Sequence, residues 1–256
     1  LICECLDSYY RFYYPASLSG NDLFYEELQK KRPGGTYYSW RWEHEKALEE
    51  INKDSFVLDI GCGSGYFLSK AKEKTPNIKG LEFNDMAITE SQKKGISVVK
   101  SNIQDFSKNN AESFDVICAF QVLEHIYEIQ SFIESCLKVL KPGGKLIIGV
   151  PNNNPYLYKH DIYHTLNLPP HHIGLWNKKS LKKLSSIFSM KTSKVLLEPI
   201  SFPDFWLNVQ IKYFFGENIF GRIVRRVTSR FIGKFSRFID GRNVFIVYIK
   251  TENKNE

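Results

Sequence analysis

Apolar and polar positions fall into regular blocks along most of this chain, and the blocks predict its strands and helices. Short apolar runs bounded by turn residues favour buried strands, whereas apolar positions three or four residues apart favour helices. The predicted strands are FVLDI, IKGLEF, ISVVKSN, FDVICAF, KLIIGVPN, MKTSKVLLEPI and NVFIVYIK. The predicted helices run from the end of the first strand to Lys74, over NDMAITESQKKG, from Ile129 to Leu140, and over NKKSLKKLSSIF, with Asn177 as N-cap.

Strand and helix segments alternate from Ser55 onward, which is typical of an α/β fold with a mostly parallel sheet. FDVICAF is almost continuously apolar, as expected of a strand that is buried on both faces. The segment KPGG supplies Pro and Gly where the preceding helix ends. We therefore predict an α/β domain with a seven-stranded, mostly parallel sheet and helices on both of its faces.

The two ends of the chain differ in composition from its middle. Residues 1–50 are rich in aromatic and charged side chains, and FYEELQKK and SWRWEHEKALEEI have the spacing of amphipathic helices. We predict an N-terminal helical cap or lid over 1–50 and a main domain over 51–256. Within the main domain, residues 201–242 form a basic, aromatic insert before the last strand, with eight Lys and Arg against three Asp and Glu.

Composition narrows the class of protein further. The 256 residues are 43% hydrophobic and 25% charged, and no apolar run approaches the roughly 20 residues that cross a bilayer. The opening LICECLDSYY lacks the basic start and apolar core of a signal peptide, and Leu1 as first residue indicates that a segment precedes it. Five cysteines, an odd number, favour reduced thiols over a disulfide framework. We expect a cytoplasmic protein.

The insert carries most of the net positive charge, since its eight Lys and Arg and three Asp and Glu give +5. The formal net charge of the chain is +7, which favours anionic partners. Basic amphipathic helices with aromatic residues are typical of segments that lie on anionic membranes, so we predict peripheral contact with the inner face of the membrane through 201–242. A homodimer surface and a core-facing helix with a solvated basic side are the alternatives, and nucleic acid is not the expected partner.

The stretch VLDIGCGSGYF has the order of a nucleotide-binding turn, since a buried strand is followed by Gly61, Gly63 and Gly65 and then by a helix. A dinucleotide would place its pyrophosphate at this turn, where the carboxylate of Asp59 would repel it. S-adenosylmethionine has no phosphate and is cationic at the corresponding end. We therefore predict S-adenosylmethionine as the cofactor, the alternative being that Asp59 only caps the turn.

Several motifs occur in the order expected of one family. VLDIGCGSG, GLEFN, SNIQDF, FDVICAFQVLEHI and LKPGGKLIIGVPN, over about residues 55–200, resemble the class I S-adenosylmethionine-dependent methyltransferases, in particular the ubiquinone O-methyltransferase-like branch that modifies small molecules and sugars. The resemblance implies a Rossmann-like fold, S-adenosylmethionine as cofactor, and a small-molecule or glycan acceptor, which the membrane contact would suit if the glycan is lipid-linked.

The motifs and their surroundings also predict which residues bind the cofactor. Glu82 stands at a strand end where a carboxylate can accept bonds from both ribose hydroxyls. Asn102 stands where the family commonly has an acidic residue that contacts the adenine amine, and Phe83 packs either on the adenine or in the core. The resemblance places Gln121 near the methionine part. The predicted cofactor-binding residues are Tyr37, Arg41, Asp59, Gly61, Gly63, Gly65, Glu82, Phe83, Asn102, Ile103 and Gln121, with Arg41 pairing with the methionine carboxylate and Tyr37 or Tyr38 lining the acceptor side.

Histidines are the predicted catalytic residues. Transfer of a methyl to a hydroxyl requires removal of the hydroxyl proton, for which a base with a pKa near neutrality is suited. We predict this role for His125, which follows Glu124 in LEHI, and for His171 and His172 in PPHHIGLWN. A structural role ranks second, and a metal site with His160, Asp161 and His164 third, so that no metal is predicted. The function predicted is O-methylation; N- or C-methylation and a catalytically silent cofactor-binding scaffold are the alternatives.

Overall fold

The computed structural model describes residues 1–20, 24, 27, 39–153, 167–200, 202–236 and 239–251. Tyr37, Tyr38, His160, Asp161 and His164, which the sequence singles out, lie outside these residues. The strands are β1 (Ile2–Glu4), β2 (Arg11–Tyr13), β3 (Val57–Ile60), β4 (Ile78–Leu81), β5 (Val98–Val99), β6 (Phe114–Phe120), β7 (Leu140–Pro151), β8 (Gly174–Leu175), β9 (Met190–Pro199) and β10 (Asp240–Lys250).

Seven of these strands form one twisted sheet in the order β5-β4-β3-β6-β7-β10-β9. Its first five members pair in parallel, and β10 runs antiparallel between β7 and β9. Because β9 is antiparallel to β10, it points in the same direction as β7. The carboxyl ends of the parallel strands and of β9 therefore meet at one edge of the sheet, here called the carboxyl edge. This arrangement confirms the predicted seven-stranded, mostly parallel sheet.

Helices cover both faces of the sheet, as predicted. They are α1 (Trp42–Leu48), α2 (Tyr66–Ala71), α3 (Asp85–Lys93), α4 (Ile103–Phe106), α5 (Ile129–Val139), α6 (Lys178–Ile187), α7 (Pro203–Phe215) and α8 (Ile219–Phe235), with short 3-10 helices at Ala16–Leu18 and Leu123–His125. Asparagine caps several of them because its amide oxygen can accept from the amides of the first turn. The predicted cap at Asn177 is confirmed, since its Oδ1 accepts from the Lys179 and Ser180 amides at 2.9 Å.

Successive side chains of a strand point to opposite faces of the sheet, so the core has two layers, one on each face. In β3, Val57 packs on the face that carries α1 and α2, whereas Leu58 and Ile60 pack on the face that carries α5 and α6. In β6, Cys118 and Ile117 divide in the same way between the two layers. Burial on both faces explains why these strands appear in the sequence as continuous apolar runs.

The structure differs from the sequence-based expectation in two places. The predicted helical cap contains α1, but β1 and β2 form a hairpin that pairs with β8 in a second, three-stranded sheet. The helix α5 does end before KPGG, yet β7 begins at Leu140 and includes that segment. In the pairing of β6 with β7, Phe114 lies opposite Leu140 and Val116 lies opposite Lys145. The residues between Leu140 and Lys145 therefore form an irregularity in the register, and Gly143 within it has a φ of 73°.

The insert forms two helices, α7 and α8, which pack against each other and are here called the α7–α8 hairpin. Gly216 ends α7 with a φ of 70°, and Asn218 caps α8 by accepting from the Gly221 amide at 2.9 Å. The hairpin has a small core of its own around Leu207, Ile211 and Ile232, separate from both layers of the main core. Among the described residues, no helix combines the length and the apolar character needed to cross a membrane.

Candidate functional site

The glycine turn follows β3 at the carboxyl edge. Gly61 and Gly65 have φ values of 68° and 75°, in the left-handed region where a Cβ is strained. A Cβ on Gly61 would come within 2.7 Å of Val122 Cγ2, and one on Gly65 within 2.5 Å of Ile96 Cδ1. The turn is therefore held tightly against its surroundings, and Gly65 starts α2 directly behind it.

Two carboxylates lie beside this turn. Asp59 is 3% exposed, and burial raises the pKa of its carboxyl well above the ordinary value, with the charge of Glu82 adding to the effect. Among the described residues no hydrogen bond reaches the Asp59 carboxylate, so the turn is not capped by it. Glu82 holds the turn instead: its Oε2 accepts from the Gly63 amide at 2.8 Å, and its Oε1 from the amides of Phe83 at 2.8 Å and Asn84 at 3.0 Å.

The residues expected on the adenine side occupy the ends of β4 and β5. Phe83 is 53% exposed, so it does not fill the core. Asn102 caps α4, with its Oδ1 accepting from the Asp105 amide at 2.6 Å, which engages part of its capacity to accept bonds. The side chain of Ile103 is 1% exposed and belongs to the main core. The exposed ring of Phe83 is thus the surface that an adenine could cover.

A chain of polar side chains crosses the carboxyl edge beyond β6. Gln121 ends β6 with a φ of 55°, which is uncommon for a residue other than glycine. Its Nε2 donates to Glu43 Oε1 at 3.1 Å and to Asn243 Oδ1 at 3.3 Å, and Asn243 Nδ2 donates to Glu198 Oε2 at 2.9 Å. Glu43 is fully buried, and its Oε2 has no hydrogen-bond partner among the described residues. A buried polar atom without a partner is uncommon in proteins, so this oxygen is a candidate acceptor for a donor group of a ligand.

Arg41 supplies positive charge to the same edge. Burial raises the pKa values of the Glu43, Glu124 and Glu198 carboxyls, and the charge of Arg41 partly offsets the rise at each of them. The charge of Arg41 therefore acts on three carboxyls of this edge at once, and its pairing with the methionine carboxylate stays a prediction. Tyr37, predicted beside it, lies outside the described residues.

Three of the functional candidates meet around Glu124. Its carboxylate is fully buried, and neither oxygen has a hydrogen-bond partner among the described residues. Its Oε1 lies 4.0 Å from His125 Nε2 and 3.9 Å from His172 Nε2. The ring of His171 stacks on that of His172 with centroids 4.5 Å apart. The structure thus brings together the three predicted catalytic histidines, which are separated by up to 47 positions in the sequence, around one buried carboxyl.

The hydrogen bonds of these histidines fix their tautomers. His125 Nδ1 lies 2.6 Å from the carbonyl oxygen of His171, which can only accept, so Nδ1 carries the proton. His172 Nδ1 lies 2.9 Å from Asn167 Oδ1 and donates in the same way. The Nε2 atoms of both rings face Glu124 Oε1, at 4.0 Å for His125 and 3.9 Å for His172. These atoms are within 4.8 Å of one another, a distance and a choice of residues that a divalent cation could also use.

Burial sets the charge states of this cluster. It raises the pKa of Glu124 to about 8 and lowers the pKa of His125 to about 4, because both charged forms lose their hydration. At neutral pH Glu124 is therefore predominantly protonated and His125 neutral. These two buried side chains are therefore both uncharged but polar.

We expect Glu124→Gln to change how stability depends on pH. In the unfolded chain Glu124 ionises near its ordinary pKa of about 4.3, whereas in the folded protein it stays protonated until about 8. Unfolding therefore releases a proton between these values, and the free energy of unfolding falls by up to about 1.4 kcal/mol per pH unit as pH rises. Glutamine mimics the protonated form and lacks this loss.

Urea unfolding of both proteins from pH 5 to pH 8, with a chelator present, measures the effect. The difference in the free energy of unfolding should shift in favour of the variant throughout this range, and it levels off only above the folded-state pKa of about 8. The lowered pKa of His125 acts in the opposite direction, but it is common to both proteins and cancels. Parallel curves would show that the Glu124 carboxyl is already ionised in the folded state.

Some of these residues were not found by sequence reasoning. Glu43, Glu198 and Asn243 are placed at the site by three different elements, and nothing in their local sequence distinguishes them from solvated residues. In the sequence, Glu124 stands out only as the neighbour of His125. The burial of Glu124 could be suspected from its neighbour, because a Glu directly beside an apolar residue that packs in the core is positioned for burial. Its role could not be predicted in this way, because it depends on His172, which lies far along the chain.

The arrangement fits S-adenosylmethionine. Asp59, with no protein hydrogen bond among the described residues, can take a cationic group, which would restore its ionised form. A carboxylate offers about four acceptor positions, so the three amides that Glu82 accepts leave capacity for a ribose hydroxyl. Three further features lie along the carboxyl edge and suit the same ligand: the tight glycine turn, the exposed face of Phe83 and the orphaned oxygen of Glu43.

Comparison with known proteins agrees with this geometry. The family described as methyltransferase domain matches residues 29–186, more than half of the chain. The ubiquinone biosynthesis O-methyltransferase of Saccharophagus degradans is 28% identical over 108 residues, which cover 40% of this chain and 46% of that protein. The chain thus spans about half the length of this curated relative.

Solved structures share the fold. A SAM-dependent methyltransferase from Archaeoglobus fulgidus superposes with a TM-score of 0.56 at 22% identity, covering 89% of this chain and all of the other. Phosphoethanolamine N-methyltransferase 2 of Haemonchus contortus, in complex with S-adenosyl-L-methionine, superposes with a TM-score of 0.57 at 13% identity, covering 82% of this chain and 53% of the other. With the family match and the features of the carboxyl edge, these findings show that the chain belongs to the class I S-adenosylmethionine-dependent methyltransferases and uses S-adenosylmethionine as its cofactor.

Proposed function

We propose that this methyltransferase transfers the methyl group to a hydroxyl of a small molecule or glycan, with a histidine of the Glu124 cluster accepting the hydroxyl proton. The observation that carries the proposal is the convergence of two imidazole Nε2 atoms on one buried carboxyl, at 3.9 and 4.0 Å. Such a group of proton acceptors, at the edge of the sheet where the cofactor binds, is what an alcohol acceptor requires.

His172 is the proposed base. Asn167 Oδ1 lies 2.9 Å from its Nδ1, which orients the ring with Nε2 toward Glu124. The imidazolium that results lies 3.9 Å from Oε1 of the Glu124 carboxyl, a polar group that offsets part of the cost of burying the new charge. Burial lowers the pKa of His125 to about 4, which makes it a weak base, and we assign it to positioning.

The remaining residues hold the cofactor and the acceptor in line. S-adenosylmethionine supplies, when bound, a methyl on a sulfonium that leaves as a thioether. We propose that Glu82 binds the ribose hydroxyls, Asp59 the ammonium and Arg41 the carboxylate of the methionine part. Gln121 is fixed by its bonds to Glu43 and Asn243 and forms the wall between cofactor and acceptor. Positioning of this kind is the main contribution a protein makes to a displacement at an activated carbon.

The relatives support two acceptor classes. The name of the Saccharophagus degradans relative specifies O-methylation, which supports the hydroxyl. The second candidate is an amine acceptor, because the carboxyls of Glu43, Glu124 and Glu198 line the same edge and would suit a cationic group. The Haemonchus contortus enzyme, which shares the fold, is named as an N-methyltransferase.

A panel of alcohol, phenol, sugar and amine acceptors, assayed for formation of S-adenosylhomocysteine, tests the proposal. Turnover with hydroxyl acceptors that is unaffected by a chelator supports it. Turnover with amines alone favours the second candidate. A requirement for a divalent cation would overturn the role of His172 as base and assign the Glu124 cluster to a metal. Binding of S-adenosylhomocysteine without turnover of any acceptor would favour a silent scaffold.

We expect Arg41→Ala to weaken binding of S-adenosylhomocysteine by about tenfold or more, because a charge-assisted bond to the ligand carboxylate contributes about 1.5–3 kcal/mol. Calorimetric titration measures the change. Arg41→Lys serves as the control, since it retains the charge near the three carboxyls and should recover part of the affinity. Unchanged affinity in Arg41→Ala would refute the pairing with the methionine carboxylate and leave Arg41 as a counter-charge to Glu43 and Glu198.

A further inference from the structure

The α7–α8 hairpin exposes large apolar side chains on its outer side. The residues of α8 that pack inward surround Ile232, while Phe205 of α7 and a set of α8 residues point to solvent. Those exposed on α8 are Ile219 (69%), Phe220 (58%), Ile223 (58%), Val227 (54%) and Phe231 (50%). An apolar surface of this extent on a separate structural unit indicates a site of interaction.

The sequence of α8 arranges its surface in two parallel stripes. Residues 219, 223, 227 and 231 are four positions apart and form an apolar stripe along one side of the helix. Residues 222, 226, 230 and 234 have the same spacing and form a basic stripe of three Arg and one Lys beside it. Arg225 adds a fifth positive charge, and α8 contains no acidic residue. The exposed side is therefore both apolar and strongly cationic.

The hairpin stands at the carboxyl edge of the sheet. It leaves the sheet after β9 ends at Pro199 and returns at Asp240, and these two residues are paired. Arg242, two residues into β10, lies over the ring of Phe202 at 5.9 Å, just before α7 begins. The hairpin therefore starts from the same edge that carries Gln121, Glu198 and Asn243.

We propose that the α7–α8 hairpin docks on an anionic lipid bilayer, with the apolar stripe inserted among the acyl chains near the headgroups and the basic stripe paired with lipid phosphates. Helices that lie in a membrane interface combine these two features, and each basic residue near the surface adds to the attraction of anionic lipid. The length and charge of α8 exclude a spanning role and suit this orientation parallel to the surface. This proposal concerns binding alone and does not depend on the methyl acceptor.

Two other occupants fit the surface less well. A second copy of the chain would bring two basic stripes together across the interface, and α8 offers no acidic residue to compensate them. Nucleic acid would satisfy the arginines but leave the apolar stripe against a polar backbone. A bilayer with anionic headgroups matches both stripes at once.

Co-sedimentation of the full chain with phospholipid vesicles tests the proposal. We expect binding to vesicles of phosphatidylglycerol and phosphatidylcholine in equal parts at low ionic strength, and none to phosphatidylcholine alone. R222Q/R226Q/R230Q should lower the partition coefficient by at least about tenfold. I223S/V227S/F231S, which keeps every charge, should lower it to a similar extent because the inserted apolar area is lost.

The matched control is K178Q/K182Q/K183Q, which removes three exposed positive charges from α6, a helix without an exposed apolar stripe. We expect less than about a twofold change in partition for this variant. All variants should keep wild-type affinity for S-adenosylhomocysteine, which shows that they are folded. The proposal is overturned if wild type stays in the supernatant or if the control loses binding equally. It is also overturned if the serine variant binds as wild type does, or if wild type is a dimer that this variant dissociates and neither binds vesicles.

Discussion

Replacing Glu82 with alanine is expected to lower the affinity for S-adenosylhomocysteine by about a hundredfold or more. Two losses combine. The carboxylate no longer accepts from the ribose, and bonds to a charged group contribute about 1.5–3 kcal/mol each. In addition, the amides of Gly63, Phe83 and Asn84, now held at 2.8–3.0 Å, lose their common acceptor, so the glycine turn is less ordered before the ligand arrives. Calorimetric titration measures the affinity.

The control is Glu90→Ala, which removes an exposed carboxylate from α3, the helix that follows Glu82. Its affinity should equal that of wild type, so that a change in net charge alone is excluded. Titration with NAD should give no specific binding to any of these proteins. If Glu82→Ala bound S-adenosylhomocysteine as tightly as wild type, Glu82 would be a structural cap of the turn and the ribose would be held elsewhere.

His172→Ala is expected to lower kcat by about 10²–10⁴-fold, the usual contribution of a positioned general base, with little change in the KM for the cofactor. The loss falls on kcat because the proton moves only as the methyl is transferred. With a phenolic acceptor, which ionises by itself near pH 10, the variant should approach wild type at high pH. Steady-state assays from pH 6 to pH 10 with the best acceptor of the panel give both profiles.

Affinity for S-adenosylhomocysteine serves as the control for His172→Ala, because the proposed role of the Glu124 cluster is on the acceptor side and the variant should then leave cofactor binding unchanged. A variant with wild-type kcat would remove His172 from the reaction. A loss of the same size at every pH, together with restoration of wild-type activity by added divalent cation, would indicate that the imidazole is a metal ligand.

The central sheet was predictable because the signals that define it are local. Strands such as FDVICAF are apolar on both faces, and the glycines after β3 mark the turn within the same short segment. The hairpin of β1 and β2 was not predicted, since its third strand, β8, lies more than 150 positions away and contributes only Gly174 and Leu175. Pairing at that distance leaves no trace in a local pattern.

The candidate site was predictable to the extent that its residues follow strands. Asp59, Glu82 and Gln121 stand at or near strand ends, and the topology carries them to one edge. The contacts between elements were not predictable. The bond of Gln121 to Glu43 and the approach of His172 to Glu124 depend on how α1 and the segment before β8 pack against the sheet. Burial then sets the charge of Glu124, which sequence alone does not reveal.

The pairing of Pro199 with Asp240 has an evolutionary consequence. The two ends of the insert are already neighbours, so a turn of a few residues could join β9 to β10 without disturbing the sheet. The entropic cost of closing such a connection grows only slowly with its length, which leaves the region free to gain, lose or exchange whole segments. Replacing this one surface module would therefore alter the proposed membrane docking and leave the sheet that carries Asp59 and Glu82 unchanged.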